Sequence, residues 1–210
     1  MTAALLEEIT DELYARHTAD ADAASAARKE YEERRGKVHQ DDELWEPWSA
    51  AFVEWFVIER VAPGQKFPAA HASLAGADDE RAGVIRALLT SQRSLFEVRS
   101  LKGRIELLDL LGGAVFSLEV TRPLDGVEVG DVAELRLVGL PSGDVCFGRT
   151  FIYHPKAARA AIVERARAML AKDSTRRDVI DHIAQLRVQV TRYRHMAPAR
   201  VYELGSRIMG

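Results

Sequence analysis

The chain has 210 residues, 47% of them apolar and 29% charged, with a formal charge of −3. That balance excludes the disordered class and leaves room for a buried core, in one elaborated domain or two small ones. No run approaches the roughly 20 consecutive apolar residues that span a bilayer, so no membrane insertion is expected, and the single cysteine, Cys146, excludes an intramolecular disulfide and a thiolate zinc cluster and points to a reducing, cytoplasmic compartment.

In chain order, the opening MTAALLEEITDELYARH is acidic and lacks the basic start and apolar core of a secretion signal. Leu5, Leu6, Ile9 and Leu13 fall at helical spacing with Glu7, Glu8, Asp11 and Glu12 opposite, so it reads as a surface helix with one buried face. TADADAASAARKEYEERRGK follows, with charges of alternating sign at three- and four-residue offsets. It is a partner-binding or coiled-coil arm or a solvated helix, and the lack of a sustained apolar seam favours the solvated helix. Residues 1–40 are expected as an N-terminal helical arm.

Residues 41–93 are expected as a helical segment packing on the strands that follow. Asp41 and Asp42 offer capping carboxylates, Pro47 sits where a first-turn proline is tolerated, and WSAAFVEWFVIER has no room for a wet face, which makes it the central buried helix. Glu54 interrupts that run, either as an active-site acid or as one half of an ion pair with Arg60 or a more distant arginine; pairing is the usual state of a buried charge. Pro63, Gly64 and Pro68 break the helix, and residues 78–92 recover a helical pattern.

The period then changes to two. SLFEVRSL, RIELLDLL, AVFSLEVT, DVAELRLVGL and DVCFGRTFIYH read as five strands separated by Lys102-Gly103, Gly112-Gly113 and the turn PSGD, among other breaks. Five short strands cannot leave both faces wet. The expected fold is therefore α+β, with residues 94–154 closing into a small antiparallel β-barrel of SH3-like or OB-like form, flanked by N- and C-terminal helices. Asp109 stands among leucines on the second strand, as a structural charge or as the lone acid of a pocket.

Residues 155–210 are expected as basic C-terminal helices over 156–171, 175–195 with a cap at Ser174 or Thr175, and 198–207. Residues 151–210 hold twelve Lys and Arg against five Asp and Glu, so the front of the chain is correspondingly acidic. The basic end meets nucleic acid or an acidic protein, or it lies against the acidic front of this chain or of a second copy. Val179, Ile183, Leu186, Val190 and Tyr193 recur at spacings of four and three, a two-heptad seam that reads as a partner interface or as the face packing inside the fold. Arg187, Arg192, Arg194 and Arg200, near Tyr193 and Tyr202, are the residues that would grip phosphates in a nucleic-acid reading.

Phosphate loops, dinucleotide fingerprints, nucleophile elbows and zincin His pairs are absent from the sequence. The closest approach to a metal set is Asp178, Asp181 and His182 on one helix, for which capping and surface pairing are the simpler roles, so neither metal nor cofactor is expected. Cys146, between Val145 and Phe147, reads as a small strand hydrophobe rather than a nucleophile.

Three stretches, FVEWFVIERVAPGQ, LLTSQRSLFEVRSLKGRIELLDLLGG and VEVGDVAELRLVGLPSGDVCF, resemble a pattern in uncharacterised bacterial proteins that often carry a C-terminal SEC-C metal-binding motif. The resemblance covers residues 52 to about 150 and implies the barrel. The cysteine-rich motif itself is missing because Cys146 stands alone, so its zinc does not carry over. Together these readings lead to a non-catalytic interaction module, an adaptor or regulator that binds a protein partner or itself through helical arms. The alternatives are a nucleic-acid-associated protein using the basic helices and an enzyme using Glu54 or Asp109.

Overall fold

The structure, a computed structural model, describes residues 3–119 and 127–205. Its elements are α1 (Ala3–His17), α2 (Ala21–Arg35), α3 (Trp45–Glu54), a π turn (Trp55–Glu59), a 3-10 turn (Ala69–Leu74) and α4 (Asp79–Leu89). Then come β1 (Gln92–Ser100), β2 (Arg104–Asp109), β3 (Val115–Glu119), β4 (Val132–Gly139), β5 (Val145–His154), a second 3-10 turn (Lys156–Ala158), α5 (Arg159–Leu170), α6 (Arg176–Arg192) and α7 (Pro198–Leu204). The expected strands and helices are found, with ends shifted by a few residues. The ends expected for the third strand at 120–121 and the last helix at 206–207 lie outside the described residues.

The protein is α+β with one five-stranded antiparallel sheet in the order β3-β2-β1-β4-β5. Phe96 pairs with Asp109, and Leu107 with Phe116. The expected barrel is corrected here: among the described residues β3 and β5 are the two edges of the sheet, and no pairing closes it. The physical reason lies in the C-terminal helices. Leu95 of β1 and Val132 of β4 pack into a core with Ile162 of α5, Val179 and Ile183 of α6 and Tyr202 of α7. Helices thus bury the apolar face that strand closure would otherwise have to cover.

The chain divides into two compact units drawn from non-contiguous stretches, Met1–Tyr31, Glu46–Arg93 and Arg136–Thr150 in the first, and Glu32–Trp45, Ser94–Leu135 and Phe151–Gly210 in the second. In the first unit α1 buries Leu6, Ile9 and Leu13, and packs on α4 and the 3-10 turn at Ala69–Leu74. Tyr31 meets Trp48, Phe52 and Trp55 with ring centroids 6.0, 5.5 and 5.3 Å away, and such aromatic pairs add roughly 0.5–1.5 kcal/mol each beyond their buried area. After Glu54 the helix widens, and the Arg60 N–H donates to Trp55 O at 2.8 Å, five residues back. Trp55, Phe56, Val57 and Ile58 are all buried there.

The solvated-helix reading of residues 18–37 is also corrected. Ala27, Tyr31 and Arg35, four residues apart, are 0%, 0% and 1% exposed. The stripe is one side chain wide and ends in a charge, so a count of apolar residues passes over it.

In the second unit α5, α6 and α7 pack on one another. The start of α6 is set by a capping box in which Thr175 and Asp178 exchange hydrogen bonds.

Candidate functional site

Most of the ionisable groups singled out in the sequence are engaged with arginines or backbone groups. In the first unit Arg136 of β4, 2% exposed, donates to Glu54 through Nε, to Glu59 through Nη2 and to Ser91 Oγ through Nη1 at 2.8 Å. Arg93 joins Glu59 from β1, with Nε 2.8 Å from its Oε1. Burial works against the Glu59 charge, but the Arg93 and Arg136 guanidiniums outweigh it and pull its carboxyl down to about 2. Glu54 is therefore paired, and its partner is the distant Arg136; Arg60 binds Glu30 instead, at 2.7 Å. Gly148 of β5 is what admits the Arg136 stem, since a Cβ at that position would sit 2.9 Å from Arg136 Cβ.

In the second unit Arg35 of α2 donates to Glu134 of β4 at 2.5 Å and lies 3.5 Å from Asp181 of α6. Asp181 also accepts from Arg34 at 3.0 and 2.6 Å. Asp109 accepts from Ser94 Oγ at 2.6 Å, the Leu111 N–H at 3.0 Å and Arg176 at 2.6 Å. Burial alone would raise its carboxyl, yet these donors hold it below the usual carboxylate range. A Cβ on Gly112 would fall 2.6 Å from its Oδ2, which explains a glycine at that turn.

The residues expected to bind partners divide by location. Val179, Ile183 and Leu186 are each 0% exposed inside the second unit's core and Val190 packs against that core, so the seam is used within the chain. Tyr193 is half-buried beyond the end of α6. Arg187 donates to Tyr153 O at 2.7 Å and to Glu43 at 3.1 Å, with 12% of its side chain exposed. Arg192 and Arg194 are exposed and donate to the neutral carbonyls of Lys37 and Thr191 at 2.7 and 3.1 Å, while exposed Arg200 meets Glu203 at 3.1 Å.

Asp178 serves the capping box and Asp181 the arginine pair, so neither shares a site with half-buried His182, whose imidazole is pushed down chiefly by burial. Among the described residues no group of three His, Cys, Asp or Glu side chains is placed to hold a metal ion. No helix there is long and apolar enough to cross a membrane. Cys146 is half-buried on β5, its thiol pushed up by burial and by Asp144.

Sequence reasoning missed the pair His154 and Tyr202. The ring of His154, 4% exposed, places Nδ1 2.8 Å from Tyr202 Oη. Burial lowers its pKa to about 3, Glu134 opposing and Arg187 and Arg35 assisting. The sequence holds no local mark of this pair, because its members lie 48 positions apart.

No curated protein and no solved structure matches the chain. A family model does, over residues 3–186, from the start of α1 to Leu186 of α6. By that match the chain belongs to a family of unknown function, DUF7986.

Proposed function

We propose that the chain is a non-catalytic interaction module of the cytoplasm, an adaptor or regulator that binds a protein partner or a second copy of itself. The observation that carries this reading is the use of its buried acids. Glu54 and Asp109, the two carboxylates an enzyme reading would call on, are each tied to an arginine, Arg136 and Arg176. A general acid or base needs a free face toward substrate, whereas these groups tie elements of the fold together.

The test is light scattering on the purified chain, together with affinity capture from its native cytoplasm before and after nuclease treatment. A defined oligomer, or a stoichiometric protein that survives nuclease, supports the module. A monomer that retains nothing at any protein concentration overturns it.

A second reading is favoured by one feature at and just beyond the end of α6. Arg192 and Arg194 bond to backbone carbonyls, and among the described residues no carboxylate is paired with either. Their charge stays available to phosphates, in a stretch of the chain already rich in Lys and Arg. Binding to a fluorescent oligonucleotide that weakens steeply with added salt supports a nucleic-acid role. No binding at low salt removes it.

A further inference from the structure

Three attachments dock α7 within the second unit. Val201 and Tyr202 are both fully buried, Tyr202 in the core with Ile162 and Leu186. Arg165 of α5 grips the end of the helix, donating to Tyr202 O at 3.0 Å and to Glu203 O at 2.5 Å. Tyr202 Oη meets His154 Nδ1 at 2.8 Å. The link to α6 is the short turn 193–197, where the Met196 N–H donates to Tyr193 O and Pro198 opens the new helix.

The surroundings of His154 suit only a neutral ring. Its Nε2 is buried and has no hydrogen-bond partner among the described residues. The charged groups facing it are Glu134 from β4, Arg187 from α6 and Arg35 from α2, with the Tyr202 phenol from α7. Glu134 is already bonded to Arg35. An imidazolium there would hold an Nε2–H with no acceptor, close to two guanidiniums. Undocking α7 withdraws Tyr202 and lets water reach the ring.

We propose that α7 is an acid-released strap: a proton on His154 leaves its buried Nε2–H without an acceptor while α7 is docked, and the helix swings away on the 193–197 turn, uncovering the faces of α5 and α6 beneath it. The sign follows from linkage. Docked, His154 titrates near 3, and released it returns toward 6.5. The released state therefore binds a proton that the docked state does not, and release gains as pH falls from about 6.5 toward 3.

Hydrogen exchange on the unmodified chain tests the strap without requiring any variant to fold. Between pH 7 and pH 5, after correction for intrinsic exchange, the opening equilibrium of the 198–205 segment is expected to rise about 25-fold, while β2, β3 and the middle of α6 keep their protection. No change in that segment overturns the proposal, as does a loss of protection shared in step by the whole unit. His154→Gln supplies the second arm: loss of the pH dependence supports the strap, and its retention in the variant refutes it.

Discussion

Arg35 and Glu134 stand 99 positions apart in the chain, yet their side chains meet at 2.5 Å while only 1% and 2% exposed. Desolvating both charges costs much of what their attraction returns, so the intact pair adds little net stability. Removing one partner is a different matter. Glu134→Leu is expected to cost about 3–5 kcal/mol, whereas Arg35→Met combined with Glu134→Leu should recover most of that loss, because Asp181 keeps Arg34. A double-mutant cycle in urea measures the coupling, and additive losses would refute it.

Gly148 and Gly139 make a matched pair for testing close packing. A Cβ at Gly148 meets Arg136 Cβ at 2.9 Å and its carbonyl oxygen at 3.4 Å, while one at Gly139 meets nothing within 4 Å. Gly148→Ala is expected to destabilise the chain by about 1–3 kcal/mol, as overpacking does. Gly139→Ala should be neutral or gain a few tenths of a kcal/mol, because it restricts the unfolded chain. Thermal unfolding of both, side by side, decides the matter.

Glu59 sets an acid limit on the fold. Its carboxyl is held at about 2 against an ordinary 4.5, so the stability it contributes is complete above 4.5 and is lost as pH falls toward 2. The difference corresponds to about 3 kcal/mol. In urea midpoints measured from pH 5 to pH 2, Glu59→Gln should be less stable at the upper end, where Arg93 and Arg136 lose a charge partner, and should show a slope flatter by about one proton below pH 4.5. An unchanged slope would mean that other carboxylates carry the acid response.

The strands and the helices, though not their exact ends, were legible in the sequence because they rest on local signals: the period-two runs, the turn at PSGD, and a cap at Ser174 or Thr175, of which Thr175 is the one used. The open sheet was not, and a barrel was expected in its place, because nothing local shows that α5 to α7 rather than strand pairing cover Leu95 and Val132. The seam Val179, Ile183, Leu186, Val190 and Tyr193 read either as a partner interface or as a face packing inside the fold, because periodicity does not distinguish a face packed at home, as the first four are, from one awaiting a partner. Glu54 and Asp109 stood out because a carboxylate among apolar residues breaks the pattern. Arg35 and His154 did not, and Tyr202 was read only as a neighbour of the phosphate-gripping arginines, because their meaning depends on partners 48 to 99 positions away.

Arg187, Arg192, Arg194 and Arg200 should separate by role. Arg192, Arg194 and Arg200 are exposed, and the first two direct their hydrogen bonds to carbonyl oxygens, so replacing all three with Gln costs little folding energy. If they contact phosphates, the slope of log affinity against log salt should fall by roughly 2–3 for the triple variant, since each phosphate contact contributes about 0.7–0.9. Arg187 differs, because its guanidinium joins Tyr153 O to Glu43 and only 12% of the side chain is exposed. Arg187→Gln should therefore leave the salt slope unchanged and lower stability by about 1.5–3 kcal/mol, the range for a hydrogen bond to a charged group. Oligonucleotide titrations at several salt concentrations, with urea unfolding of the same variants, separate the two effects. If Arg187→Gln changed the slope while the triple variant did not, the phosphate-gripping surface would have to lie around Arg187, and the exposed arginines would be solvated charges alone.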